Sequence, residues 1–457
     1  MPACSRTPLE EEVLEAIRPT PLQLKLLGSL YRLLESKLSS CARLHGLDAV
    51  VEAEGSYAKG TLTRDKWELD VFLLVRGASR EWIASQGERL LRECLEGLPV
   101  EARYAEHPYV TVRVMGMEAD VVIAPLVSKP GEGGTGVERT PFHTRWVRRA
   151  LRGNPCLADD IRLFKSFLKG IGAYGAEVRV GGFSGLLAEI LVVYHGGFRR
   201  LIEAASRWRP GVYVDPLGIG DEELLRRRYP ESPIIVPDPV DPGRNAAASV
   251  TRRKLASLVL AANAYLEAPC RLYYHPYSTL EPPPYRPDPR RILAVELRGD
   301  YSGLARDALW GRLSRMASWL SRGLSRAGFG ILRWEVWTDE SSRALIALEL
   351  ESPELPALEL AEGPPAWEPA RALRFTAKRA GESMPVAIDD EGRLKALRPR
   401  RHTTARSAAE HLLGSGQAPL PRGTASARVV EPGDPGLGEA VRLLAEATPR
   451  WPYCLAR

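Results

Sequence analysis

The sequence predicts an α+β multidomain protein with a small mixed sheet and helices first, a helical segment next, and a second α+β body with a mixed C-terminal tail. Three observations carry this expectation. Short runs of β-formers flank one helical pattern between residues 49 and 124, the periodicity from 158 to 268 is mainly helical, and a proline-rich stretch at 275–289 precedes a β-α-β-β run starting near 291. The expected domains are 1–145 as an α+β head, 146–270 as a helical neck, and 271–457 as body and tail; 457 residues are enough for each to bury a core.

The elements are justified in order. Thr7-Pro8-Leu9-Glu10 has a capping-box pattern with proline at the first helical position, and the helix it opens must stop before Pro19. Leu24, Leu27, Tyr31, Leu34 and Leu38 recur at helical spacing up to Gly46. Ala49 to Ala53 and Leu69 to Val75 read as strands joined by a loop, Trp82 to Leu98 as a helix, and Tyr109 to Val114 with Met117 to Ala124 as a hairpin turning at Gly116. Lys129 to Gly136 reads as a turn-rich hinge. Helices are expected over Ala158 to Lys169, Phe183 to His195, Phe198 to Trp208 and Thr251 to Ala268, with a proline-rich interruption from Pro230 to Pro242. The 275–289 stretch is expected to be an extended linker. Beyond it, strand Arg291 to Leu297, helix Tyr301 to Ala327 and strands Ile331 to Trp337 and Arg343 to Leu350 follow a ferredoxin-like or RRM-like order. The last hundred residues are weakly patterned.

Composition is that of an ordinary globular chain, 44% hydrophobic and 26% charged. Its 63 Lys and Arg exceed 57 Asp and Glu by six, too small an excess to identify a partner until its placement is known. The cysteines at 4, 41, 94, 156, 270 and 454 stand far apart with no Cys-x-x-Cys, which argues against zinc ribbons and dense disulfide frameworks. No segment approaches a membrane span and the start has no apolar signal core, so the expected location is cytoplasmic.

Three carboxylates lie where polar residues should be scarce. Glu68 and Asp70, at i and i+2 where a strand begins, point to one face, and Asp120 interrupts the second strand of the hairpin. Their convergence on one sheet edge costs several kcal/mol unless a divalent cation neutralises them, and hard oxygen ligands favour Mg²⁺ over zinc. Two such ions are the usual machinery of nucleotidyl transfer. Gly55-Ser56, at the end of the preceding strand, allows close backbone approach to a phosphate, with the Ser56 hydroxyl as donor and Lys59 adding charge. Each feature alone is common, and solvated carboxylates on an edge strand are the alternative; the joint order of strand, Gly-Ser, loop, Glu-x-Asp strand, helix and Asp-bearing hairpin is selective. Lys165 and Lys169, at i and i+4, share one helix face opposite Ile161, Phe164 and Leu168.

Gly55-Ser56, Glu68-x-Asp70 and Asp120 together resemble the head of the polymerase-β-like nucleotidyltransferases. Thr140-Pro-Phe-His143, Arg162-Leu-Phe-Lys165-x-Phe-Leu-Lys169, Tyr174-Gly-Ala-Glu177, Gly182-Phe-Ser-Gly185 and Asp238-Pro-Val-Asp-Pro-Gly-Arg244-Asn245 follow in order, so residues 50–250 resemble the archaeal (class I) CCA-adding tRNA nucleotidyltransferases. The resemblance implies an enzyme of tRNA maturation and repair that adds C, C and A to the 3′ end from CTP and ATP, with tRNA, ATP and CTP as partners, no membrane, and a homodimer left open. It implies that Glu68, Asp70 and Asp120 are catalytic and hold Mg²⁺, that Ser56, Lys59, His143, Lys165 and Tyr174 bind the nucleotide, and, less firmly, that Arg244 reads the base. Glu68 stands where the wider superfamily has aspartate and Lys59 where an arginine is an option; neither change removes an essential group.

Charge becomes informative late in the chain. Residues 371–406 hold ten basic residues against four acidic ones, after an acidic stretch at 349–368 with no basic residue. The block is expected to track an RNA backbone, with Arg312, Arg315, Arg322 and Arg326 extending it; pairing with the acidic stretch is the alternative. Two rival functions remain at this level, a poly(A) or oligoadenylate polymerase on the same fold and a non-catalytic RNA-binding protein with a degenerate head.

Overall fold

The computed structural model describes residues 4, 6–104, 108–130, 132, 136–280, 285–382 and 384–456. The chain forms two compact units, Met1–Pro282 with Pro449–Arg457, and Pro283–Thr448.

The first unit opens with α1 (Pro8–Ile17) and α2 (Pro21–Leu44). Both arms of the capping box form, since the Glu10 amide donates to Thr7 Oγ1 at 3.2 Å and the Thr7 amide to the Glu10 carboxylate at 2.8 Å. The sheet follows: β1 (Ala49–Glu54), α3 (Gly55–Lys59), β2 (Glu68–Arg76), α4 (Arg80–Cys94), β3 (Val100–Tyr104), β4 (Pro108–Val114) and β5 (Met117–Leu126). Strand order is β1-β2-β5-β4-β3, with β2 and β5 parallel and every other pair antiparallel. Leu69, Val71 and Leu73 face the α2 and α4 core while Phe72 and Leu74 are buried on the other face, so β2 is covered on both sides, as its unbroken apolar run requires. Two features depart from the expected head. Strand β3 was not legible in its mixed Val-Glu-Ala-Arg-Tyr run, and the Gly55-Ser56 turn is the first residue pair of a short helix.

The expected hinge at 129–136 lies partly outside the described residues. After it come α5 (Thr140–Gly153), α6 (Cys156–Gly170), α7 (Gly185–His195), α8 (Phe198–Ala205), β6 (Val212–Tyr213), α9 (Glu222–Arg228), β7 (Ile234–Ile235), β8 (Pro237–Asp238), β9 (Asp241–Asn245), α10 (Arg252–Glu267) and α11 (Tyr277–Leu280). The proline-rich interruption at 230–242 therefore carries short strands, and the stretch expected to be wholly extended contains α11; residues 281–284 lie outside the described residues. Phe164, Phe167, Phe198, Tyr265, Tyr273 and Tyr274 make an aromatic core, on which Trp451 stacks with its ring centroid 5.5 Å from that of Tyr273.

All six cysteines are paired, Cys4 with Cys156, Cys41 with Cys94 and Cys270 with Cys454. Three pairs in 457 residues do not make a dense framework, but the scattered positions did not announce them. Separations of 152, 53 and 184 residues leave no local spacing signal for the pairs.

In the second unit β10 (Ile292–Gly299), α12 (Arg306–Arg326), β11 (Ile331–Thr338) and β12 (Arg343–Leu350) fall where the sequence places them. An insertion of β13 (Leu358–Pro365), α13 (Pro369–Gly381), β14 (Val386–Ile388) and β15 (Arg393–Pro399) makes a separate three-stranded sheet, after which α14 (Ala405–Gly414) and β16 (Thr424–Val429) complete the main one and α15 (Pro435–Glu446) covers its back. The main sheet runs β11-β12-β10-β16, all antiparallel, the ferredoxin-like order. Leu309, Leu313, Met316 and Leu320 of α12 are buried against it.

Candidate active site

Register builds the acidic part of the site. Across β1, β2, β5 and β4, Glu54 stands opposite Asp70, Asp70 opposite Asp120, and Asp120 opposite Thr111, whose hydroxyl donates to the Asp120 carboxylate at 2.6 Å. Glu68 lies two residues before Asp70 on the same face, exposed, with Lys66 at 2.6 Å. Burial, reinforced by the neighbouring Asp120 charge and then by Glu68, pushes Asp70 up to about 6. Glu54 is buried with Oε2 lacking a hydrogen-bond partner, and burial, with Glu52 adding charge, raises it to about 7. Among the described residues no three His, Cys, Asp or Glu side chains are grouped to hold a metal ion on their own.

Gly55 explains why glycine begins α3. Its φ is +64°, and a Cβ there would sit 1.7 Å from Asp70 Oδ2. The bare backbone thus closes over the carboxylate, and Ser56 follows, half-buried at the start of the helix.

Lys59, at the end of α3, is buried and donates to Glu189 Oε2 at 2.9 Å. Lys165 of α6, also buried, donates to Glu189 Oε1 at 2.7 Å and to Thr61 Oγ1 at 3.1 Å; the Thr61 hydroxyl donates to the same Oε1 at 2.6 Å. Burial alone would raise the Glu189 carboxyl, but the two ammonium groups hold it down at about 2, while burial lowers Lys165. Two buried cations share one buried anion. Both lysines expected to share one helix face are thus paired, since Lys169 ends on Asp65 at 2.6 Å with its ammonium 5.2 Å from the centre of the Tyr174 ring. Tyr174 and Lys165 meet around Gly185, where a Cβ would lie 2.8 Å from the Tyr174 hydroxyl and 3.9 Å from Lys165 Cε.

His143, on α5, and Arg244, on β9, meet on a third anion. His143 Nε2 is 2.7 Å from Asp238 Oδ1 and Arg244 Nη1 is 2.7 Å from Asp238 Oδ2. Asp238 is wholly buried, and His143 with Arg244 keeps its carboxyl low against the opposing effect of burial. Seven of the nine expected site residues thus fall in a carboxylate row (Glu68, Asp70, Asp120) and two carboxylate-centred cation clusters (Lys59 with Lys165, His143 with Arg244), while Ser56 follows Gly55 and Tyr174 lies beside Lys165, all in the first unit. Sequence reasoning missed Glu189, Thr61 and Glu54. The signal for Glu189 was present, as the one acidic residue in the apolar helix Gly-Leu-Leu-Ala-Glu-Ile-Leu-Val-Val-Tyr-His.

Three family models match in succession, the nucleotidyltransferase domain over residues 34–144, the second domain of tRNA nucleotidyltransferase over 159–275 and the C-terminal domain of the CCA-adding enzyme over 292–418. The CCA-adding enzyme of Aeropyrum pernix is 50% identical over 97% of this chain and 95% of its own. The chain belongs to the CCA-adding enzyme family. The CCA-adding enzyme of Saccharolobus shibatae is 33% identical over 88% of this chain and 91% of its own. Among solved structures, one titled for the RNA terminal uridylyl transferase activity of Cid1 aligns at a TM-score of 0.46 and 14% identity, covering 59% of this chain and 96% of that one. As a member of the CCA-adding family this protein is a tRNA nucleotidyltransferase, and the carboxylate row lies in the segment matched to the nucleotidyltransferase domain.

Proposed function

We propose that the first unit adds C, C and A to the 3′ end of tRNA from CTP and ATP, without a nucleic-acid template and in the cytoplasm. The observation that carries this reading is the register of Asp70 against Asp120 on a parallel strand pair, with Gly55 closed over Asp70. The donor set fits Mg²⁺. Asp70 and Asp120 are adjacent hard oxygen donors in strand register, Glu68 is close by, and Mg²⁺ is commonly held by one or two carboxylates together with substrate phosphates. When bound, such ions supply positive charge at the triphosphate and at the attacking oxygen.

The chain's own residues do the rest. The Ser56 hydroxyl and the backbone freed by Gly55 meet the phosphates. Lys59 and Lys165 share one carboxylate, so the cluster carries surplus positive charge in a buried place, which an incoming phosphate offsets. Glu189 is a positioning residue that fixes both ammonium groups. His143, Tyr174 and Arg244 bind from the helical side, with Arg244 donating to acceptor atoms of the base. In the reaction the tRNA 3′-hydroxyl gives its proton to solvent as its oxygen bonds to the α-phosphorus, the bond to the bridging oxygen breaks, and pyrophosphate leaves. The test is incorporation by Asp70→Asn and Asp120→Asn: both abolish addition of C and A while tRNA affinity stays within about twofold, and retained incorporation by either rejects the assignment.

A further inference from the structure

The basic block of the second unit is largely consumed by internal pairs. Glu359 of β13 takes both Arg398 and Arg400 at 2.6 Å, Asp389 takes Lys395, Glu368 takes Arg371, and Glu410 and Glu431 take Arg406. Besides the exposed α13 face, a concave place departs from this neutralisation. A cavity of about 370 Å³ is walled by the end of α12, by β13, by the segment leaving β15 and by α14. Arg326, Arg398, Arg400 and Arg401 line it together with His402 and His411, against the single carboxylate of Glu359.

The details point to an anion. Glu359 holds the Arg398 and Arg400 guanidiniums side by side on one carboxylate, an arrangement suited to phosphate oxygens. Arg400 Nε and His402 Nε2 are buried without a hydrogen-bond partner, while the other His402 nitrogen, Nδ1, is 2.9 Å from Ser407 Oγ. Buried polar atoms of this kind are ordinarily satisfied. The backbone also makes room, because Gly328 has φ +99° and a Cβ there would lie 2.6 Å from Arg400 Nη1. Arg326 and Arg401 are exposed and have no carboxylate partner among the described residues.

We propose that this cavity seats a phosphodiester group of the RNA substrate's backbone. The inference rests on the reading that the substrate is tRNA, and every lining residue falls within the segment matched to the CCA-adding enzyme C-terminal domain. Guanidinium forks, with two imidazole rings beside them, surround the phosphate oxygens, so the pocket contributes affinity and register without reading sequence.

The test compares two charge-matched double variants of the full chain, Arg326→Ala with Arg401→Ala in the cavity, and Arg374→Ala with Lys378→Ala on the exposed α13 face. Binding of tRNA lacking its CCA end is measured across salt concentrations without nucleotide or divalent ion, so a failure here leaves the catalytic assignment standing. The cavity variant is expected to weaken binding about tenfold at low salt and to reduce the salt slope by about one. The α13 variant changes both less, and the KM for CTP and ATP is unchanged in the two. Ethylation interference on the tRNA then loses a protected phosphate in the cavity variant alone. Equal losses in the two variants indicate a diffuse basic face and overturn the proposal. So does unchanged tRNA affinity of the cavity variant combined with lost thermal stabilisation by inorganic pyrophosphate, which marks a free-anion site.

Discussion

Lys59 donates to Glu189 at 2.9 Å across 130 residues of sequence, and the same carboxylate takes Lys165 at 2.7 Å. One residue on α7 thereby fixes cations from the sheet-bearing segment and from the helical segment. Removing one member of a buried ion cluster leaves uncompensated charge and typically costs about 3–5 kcal/mol. Glu189→Gln is therefore expected to lower Tm clearly, and at temperatures where it stays folded to raise the KM for CTP and ATP more than it lowers kcat. Glu189→Asp restores part of both. An unchanged nucleotide KM in folded Glu189→Gln contradicts the positioning role.

Gly55→Ala tests the closure of backbone over Asp70. The added Cβ would overlap Asp70 Oδ2 at 1.7 Å on a backbone with φ +64°, so strand or carboxylate must move. Displacements of about 1 Å at a reacting centre cost about 100-fold, and a kcat loss of that order is expected with little change in tRNA affinity. Near-normal kcat rejects the close approach.

In the second unit Glu296 is buried and accepts from Arg343 Nε at 2.6 Å, Arg428 Nη2 at 2.7 Å and Arg298 Nε at 3.1 Å. Burial alone would raise it, but the three guanidiniums bring it down to about 2 from an ordinary 4.5. A carboxyl lowered in the folded state stabilises it above the ordinary value and loses that contribution as pH falls through the folded one. Thermal stability of the unit is thus expected to drop between about pH 4.5 and 2, with a shallower drop in Glu296→Gln. Identical pH profiles contradict the pairing.

The disulfides close loops of 152, 53 and 184 residues. Loops of that size are worth about 4–5 kcal/mol each in the chain-entropy account. Denatured, unreduced protein is expected to show no reactive thiol, and reduction to lower Tm. Six titratable thiols without reductant contradict the pairing.

Legibility followed locality. Capping at Thr7, the heptad-like leucines of α2, the hairpin at Gly116 and the β-α-β-β start of the second unit depend on neighbours in sequence and were readable. So was the facing of Glu68 and Asp70, which follows from strand periodicity. The parallel pairing that sets Asp70 beside Asp120, the carboxylate beneath Lys59 and Lys165, and the three cysteine pairs are long-range contacts with no local spacing to announce them. The acidic stretch before the basic block was visible, but only strand register showed Glu359 facing Arg398 and Glu362 facing Lys395.

The central claim is tested most directly by sequencing the 3′ ends of tRNA truncated before CCA after incubation with CTP, ATP or both. The account predicts two C residues from CTP alone, CCA and then arrest from the two together, and neither product with Asp70→Asn. Runs of A added to any acceptor end, whatever its last nucleotide, would contradict it.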